Sequence, residues 1–220
     1  MSQLFRPGAN TLARLALVAI LLVPTLALLI GSAIARSDTS TGEGRFVEQG
    51  VPFSHQHHAG ELGIDCRYCH TGVETGARAI VPPTHTCMTC HSQLWTNAAM
   101  LAPVRQSMAD GRPLEWRRVN RLPDYVYFDH HAHVANGVPC AACHGDVRRM
   151  PLTRQASPMT MGWCLDCHRN PESRIVAADR RFEDAPYEDR TDADRRAARA
   201  AMVRIAHGGR ALTDCSTCHR

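Results

Sequence analysis

Cys66-Arg-Tyr-Cys69-His70 is the stretch on which the reading of this chain turns. The pattern C-x-x-C-H returns four more times, as Cys87-Met-Thr-Cys90-His91, Cys140-Ala-Ala-Cys143-His144, Cys164-Leu-Asp-Cys167-His168 and Cys215-Ser-Thr-Cys218-His219. These five pairs use all 10 cysteines of the 220-residue chain. C-x-x-C-H is the attachment signature of c-type haem. Two thiols at this spacing add to the two vinyl groups of one porphyrin, and the adjacent histidine reaches the iron as its proximal ligand. Redox dithiols, structural disulfides and zinc ribbons also use C-x-x-C, but none of them needs a histidine after every pair. The motifs therefore predict five covalently bound haems, with His70, His91, His144, His168 and His219 on the proximal side.

The composition agrees. Aromatic residues make up only 5% of the chain, against 15 Gly and 13 Pro. So thin a supply of apolar bulk leaves an interior for something other than side chains to fill. The formal charge is +4, with arginine as the only basic residue besides histidine. No dense basic stripe marks a nucleic-acid-binding surface, and the arginines are suited to pairing with acidic haem propionates.

Outward from the motifs the chain repeats itself. Successive first cysteines are separated by 21, 53, 24 and 51 residues, short and long in alternation. Phe53-Ser-His55-Gln-His57-His58 precedes the first motif, and Phe128-Asp-His130-His131-Ala-His133 precedes the third, both fitting F-x-H-x-x-H. Each unit thus offers two haem motifs and two spare histidines. A low-spin haem takes a second axial ligand, commonly a neutral imidazole. Histidines at i and i+3 share one side of a helical turn, so they can serve two neighbouring irons. His55, His58, His130 and His133 are the expected distal ligands, with His57 and His131 as bystanders. The unit is similar to the small multihaem cytochromes of the c3 and c7 type, which implies that the first histidine serves the haem that comes next and the second serves another. The flanking phenylalanines are expected against a porphyrin. For the fifth iron, His207 lies eight residues before Cys215, as His58 does before Cys66; Met161 is its rival and His85 a weaker alternative.

The expected fold is mainly α and irregular, packed around haems as two c7-like dihaem units plus a fifth site. A helix is predicted over 192–206, stopped by glycine, and another over 96–110 with Thr96 as cap and a kink at Pro103. Ahead of the haem region, an uncharged 21-residue run, 15–35, comes after Arg6 and Arg14. It is long enough to span a bilayer, and its flanking charge puts residues 1–14 in the cytoplasm and the chain beyond Arg36 outside. Ala33-Ile34-Ala35 also fits a signal-peptide cleavage site, so anchor and cleaved signal remain alternatives. Residues 36–50 are expected as a linker and 51–220 as a periplasmic haem domain.

Several segments carry a more specific resemblance. Ile80-Val-Pro-Pro-Thr-His-Thr-Cys-Met-Thr-Cys-His91, Pro103-Val-Arg-Gln-Ser107, Arg121-Leu-Pro-Asp-Tyr-Val-Tyr-Phe-Asp-His130, Thr160-Met-Gly-Trp-Cys-Leu-Asp-Cys-His168 and the ending Cys215-Ser-Thr-Cys-His-Arg220 resemble the pentahaem cytochrome c subunit of alternative complex III. The resemblance implies a respiratory-chain subunit of a quinol-oxidising membrane complex. Its implied partners are an iron–sulfur subunit of the molybdopterin-oxidoreductase type, quinol-binding integral membrane subunits, and a periplasmic cytochrome c or terminal oxidase as acceptor. Two other classes compete. One is a multihaem reductase of the nitrite type, which needs an open haem face; five motif histidines with five spare ligands leave none. The other is a single-anchor tetrahaem quinol dehydrogenase feeding periplasmic reductases, against which the separate fifth motif argues. No catalytic site of the chain's own is expected.

Overall fold

The computed structural model describes residues 6, 8–183, 187, 189–209 and 211–219. The chain forms two compact units, Met1–Gly42 and Glu43–Arg220. The expected cytoplasmic N-terminus, 1–14, and the terminal Arg220 fall partly or wholly outside the described residues.

In the first unit, α1 (Ala9–Ala35) runs for 27 residues without a buried side chain. At 1.5 Å per residue it is about 40 Å long, enough to cross a membrane. It starts ahead of the apolar run because Asn10, Thr11 and Arg14 continue the same helix. Pro24 lies inside it, and the neighbouring Thr25 hydroxyl donates to the Leu21 carbonyl at 2.7 Å, so this polar group stays satisfied within the helix. The Ser37 and Ser40 hydroxyls, each 2.7 Å from the Ile34 carbonyl, close the C-terminal end. A single turn, α2 (Asp38–Thr41), comes next and stops at Gly42 in the left-handed conformation.

The stretch expected as a linker is only partly one. Gly44 N–H donates to the Gln155 carbonyl at 2.7 Å, Val47 N–H to Thr153 at 3.1 Å, and Phe46 bridges Arg154. The Gln49 amide holds the Arg117 backbone from both sides, at 3.0 and 2.8 Å. Residues 44–49 are therefore stitched into the second unit.

The second unit is a succession of short helices. A π-helical turn (Gln56–Glu61) precedes α3 (Cys66–Cys69), α4 (Thr84–His91), α5 (Ala102–Asp110), α6 (His130–Ala135), α7 (Ala141–His144), α8 (Met161–Arg169), α9 (Asp192–His207) and α10 (Cys215–Cys218). Among the described residues there is no named strand, only the bridges Phe46–Arg154 and Val126–His219. All five haem motifs lie on or at the edge of a helical turn, which is what places thiols three residues apart on one face. Local caps set these turns: Asp65 accepts from Arg67 N–H at 2.8 Å before α3, and Thr160 from Trp163 N–H at 3.4 Å before α8.

The helix expected over 96–110 is shorter. A 3-10 turn at Ala99–Leu101 comes first, and α5 begins at Ala102, which puts Pro103 in the first turn. There its missing N–H costs nothing, so no kink results. α5 meets α4 through the buried contact of the Thr84 and Ser107 hydroxyls at 2.5 Å.

The helix expected over 192–206 is α9. Thr191 and Asp194 form a reciprocal capping box at its start. Asp194 is fully buried and also accepts from Ala177 N–H at 2.8 Å and from the Arg180 guanidinium. Burial pushes its carboxyl up, but the donors of Ala177 and Thr191 and the charge of Arg180 outweigh this and hold it at about 2. Ala198 and Ala201 of α9 pack on Ile175 and Val138. A second small cluster joins Val73, Val134 and Phe182, with Cys66 and Cys140 against it. These apolar clusters are small for a unit of this length, as the composition implied.

Candidate functional site

The two F-x-H-x-x-H segments fold to the same side-chain geometry. Phe53 meets His55 edge-on at 4.9 Å and 89° and stacks on His58 at 4.5 Å and 22°. Phe128 meets His130 at 4.8 Å and 89° and stacks on His133 at 4.5 Å and 25°. The phenylalanines thus pack on the imidazoles, where the sequence suggested a porphyrin, and fix the two rings of each pair roughly at right angles to one another.

Three of these four histidines face a motif histidine. The His58 and His91 ring centroids are 6.1 Å apart, those of His130 and His144 6.3 Å with planes 3° apart, and those of His133 and His168 6.0 Å. His70 is the strongest charged neighbour of His55. With a metal–imidazole bond of roughly 2 Å on each side, two axial rings would sit about 6 Å apart centre to centre. The spacing therefore fits one iron between each pair. Among the described residues no three or more His, Cys, Asp or Glu side chains converge as a metal cage.

The protonation pattern fits as well. Nδ1–H donates to a backbone carbonyl from His70 (Ile80, 2.8 Å), His91 (Leu94, 3.2 Å), His168 (Leu212, 2.8 Å), His219 (Tyr125, 3.2 Å), His58 (Ser54, 2.9 Å), His130 (Ala77, 3.0 Å) and His133 (Asp129, 2.7 Å). His55 Nδ1 contacts the Thr153 hydroxyl at 3.0 Å. A proton held on Nδ1 leaves the Nε2 lone pair for a metal. At His144 the neighbour is a side chain, with Asn120 Nδ2 3.0 Å from Nδ1. Burial, then the nearby histidines, lower both His55 and His144 to about 4, and burial is also the main cause lowering His133. These rings are therefore neutral, the form a metal binds. The bystanders differ: His57 pairs with the Glu61 carboxylate at 2.9 Å in the open, and exposed His131 donates to the Glu74 carbonyl.

All 10 cysteines are free thiols. Burial first, then neighbouring cysteines, pushes Cys140 up to about 11 and Cys143 up to about 12. A redox dithiol is activated by a lowered pKa, so this environment is wrong for one. The thiols also record which motifs adjoin. Cys69 has Cys87 as an electrostatic neighbour, Cys140 has Cys66, Cys143 has Cys167 and Cys164, and Cys164 has Cys218.

The fifth motif is pinned from behind: Tyr127 N–H donates to the Cys218 carbonyl at 2.8 Å, and Val126 bridges His219. His207 ends α9 exposed, and among the described residues no ring contact joins it to His219. Met161 opens α8 with its side chain 64% exposed, one turn before Cys164, the thiol beside Cys218. His85, also exposed, lies in the first turn of α4.

Sequence reasoning missed the hydrogen-bond partners behind the histidines. Most are main-chain carbonyls, which leave no sequence signal; Thr153 and Asn120 are the side chains among them.

No known family profile matches the chain. Over 98 residues it is 35% identical to the menaquinone reductase multihaem cytochrome c subunit of Nitratidesulfovibrio vulgaris, a match covering 44% of this chain and 46% of that protein. The chain is thus similar to a multihaem cytochrome c subunit over about half the length of that relative.

Proposed function

We propose that this chain is the pentahaem electron-transfer subunit of a quinone-linked membrane complex of the alternative complex III kind. The observation that carries the reading is the pairing of His58, His130 and His133 with a motif histidine at the spacing of two axial ligands. On this reading Cys66, Cys69, His70 and His55 hold the first haem. Cys87, Cys90, His91 and His58 hold the second; Cys140, Cys143, His144 and His130 the third; Cys164, Cys167, His168 and His133 the fourth. Cys215, Cys218 and His219 hold the fifth. For the fifth distal ligand His207 keeps the offset that His58 has from Cys66, and Met161 is its rival because its helix adjoins Cys218 through Cys164; both are exposed.

Bound c-type haem supplies a one-electron carrier at each site. The chain's own work is to order the sites. Neighbouring thiols and histidines support the sequence second, first, third, fourth, fifth. His55 and His58 share one turn between the second and first sites. His144 has His130, His70 and His55 as electrostatic neighbours, which supports a third site beside the first. His130 and His133 share α6 between the third and fourth, and Cys164 beside Cys218 leads to the fifth. Such a row needs no general acid or base, so no catalytic site of its own is assigned.

α1 is read as the membrane anchor, with the haem unit on the periplasmic side, since haem attachment to C-x-x-C-H takes place outside the cytoplasm. The proposed partners are an iron–sulfur subunit of the molybdopterin-oxidoreductase type, quinol-binding membrane subunits and a periplasmic cytochrome c or terminal oxidase. A relative named as a menaquinone reductase subunit favours a quinone-reactive partner and equally admits electron flow toward the quinone pool. Purifying the chain from gently solubilised membranes by a C-terminal tag tests the reading. A large assembly with iron–sulfur and polytopic subunits that oxidises quinol with a cytochrome c acceptor supports it. A lone haem protein without quinone activity overturns it.

A further inference from the structure

Eight of the nine paired or motif histidines rest Nδ1 on a backbone carbonyl or a hydroxyl. His144 alone rests it on a carboxamide. As oriented, Asn120 sets its amide nitrogen 3.0 Å from Nδ1, while its amide oxygen is buried without a partner. That orientation is doubly unfavourable. An NH2 group donating to Nδ1 forces the ring proton onto Nε2, the nitrogen turned toward a metal, and the buried oxygen loses its hydrogen bond. A half-turn of the amide, which exchanges oxygen and nitrogen within the same outline, corrects the tautomer and gives the oxygen a donor, while the amide nitrogen takes the buried place that the oxygen leaves. The oxygen then accepts from Nδ1–H, and Nε2 is free.

We propose that Asn120 is the positioning residue of the third haem site, its carboxamide oxygen holding His144 in the Nδ1–H tautomer and setting how strongly that imidazole donates to iron. The proposal rests on the haem reading above. Asn120 stands ten residues before His130, so one chain segment grips the third site from both sides, through Asn120 behind His144 and through His130 opposite it. His130 is fixed by its own Nδ1–H bond to the Ala77 carbonyl at 3.0 Å, and the two rings are parallel within 3°. At the other four proximal histidines the acceptor is a main-chain carbonyl that no substitution can change. At His144 it is a side chain, so the strength of the ligand is set there by the sequence. In the proposed order of sites the third is the middle one.

An acceptor behind a ligating imidazole raises its basicity and stabilises the oxidised metal. The test is a redox titration of the intact membrane-purified protein followed by visible and electron paramagnetic resonance spectra, comparing wild type with Asn120→Asp and Asn120→Leu. Asn120→Asp, of nearly the same shape, should lower the midpoint potential of one haem out of five. Asn120→Leu should raise the potential of that same haem. Both should keep five haems per chain by mass. A merely structural asparagine would not give opposite shifts at one site. Unchanged potentials in a fully loaded Asn120→Asp protein, or a shift upward, overturn the proposal even where the leucine variant fails to load. A wild-type chain carrying no haem at Cys140 and Cys143 would instead sink the haem reading itself, which the mass measurement reports separately.

Discussion

The two repeats reach one geometry by different backbones. In the second, His130 and His133 lie on an ordinary α turn and His133 precedes Cys140 by seven residues. In the first, His55 and His58 lead into a π-helical turn, Gln56–Glu61, and His58 precedes Cys66 by eight. A π turn is what one inserted residue makes of an α-helix. Here it takes up the extra residue, with Leu62 N–H reaching back to His57 and Ile64 N–H to His58, both at 3.0 Å. The phenylalanine–histidine contacts agree between the repeats to 0.1 Å and 3°. Ring placement is held constant while the backbone varies, as the proposed axial ligation requires. The surroundings do diverge. The second repeat is backed by residues 175–182 and α9, whereas in the first motif pair Cys90 is exposed.

The largest expected effect comes from removing one distal histidine in each repeat. His58→Ala and His133→Ala should each convert one iron of five from low to high spin, seen by electron paramagnetic resonance. The His133 variant should also melt lower, because its helix carries Val134 into the Val73–Phe182 cluster; equal melting would erase the contrast between the repeats.

Next comes the support peculiar to the second repeat. Asp194→Asn leaves Arg180 without its buried counter-ion and should cost about 3 kcal/mol by thermal unfolding. The carboxyl is held at about 2, below its ordinary 3.8. Its contribution is therefore full above about pH 4 and is lost as pH falls toward 2. The wild-type melting temperature should fall over that interval more steeply than that of the variant. Parallel profiles would remove Asp194 as the cause.

The smallest effect tests the symmetry itself. Phe53→Ala and Phe128→Ala each lose one stacked and one edge contact with histidine and should cost about 1–2 kcal/mol; because Phe53 also meets Trp116 edge-on at 6.2 Å and 87°, the costs should be equal within about 0.5 kcal/mol in a Trp116→Ala background. A clear inequality would mean that the shared ring geometry does not carry equal energy.

These contrasts also show where sequence reading reached and where it stopped. The motif histidines and the spare histidines of the repeats stood out as candidates because covalent attachment and axial ligation demand residue types at fixed spacing, and the structure brings His58, His130 and His133 to 6.0–6.3 Å from a motif ring. α9 was legible through the glycines after His207 that stop it. The start of α5 was misread, since a proline in a first turn and a proline at a kink look alike without the preceding chain direction. The linker was misjudged because residues 44–49 bond through main-chain groups to 153–155, a long-range pairing that composition does not record. The fifth ligand stayed open at both levels: His207 has the right offset in sequence, and Met161 has the right neighbour in space.

The apolar clusters described above, Val73–Val134–Phe182 and Ile175–Ala198–Ala201, are small. On the proposed loading, each covalent attachment also completes a piece of interior. A chain that leaves the attachment machinery one group short therefore presents an open, hydrated segment to any protease in its compartment. Quality control needs no dedicated sensor in such a protein, because incomplete cargo and incomplete folding are one defect.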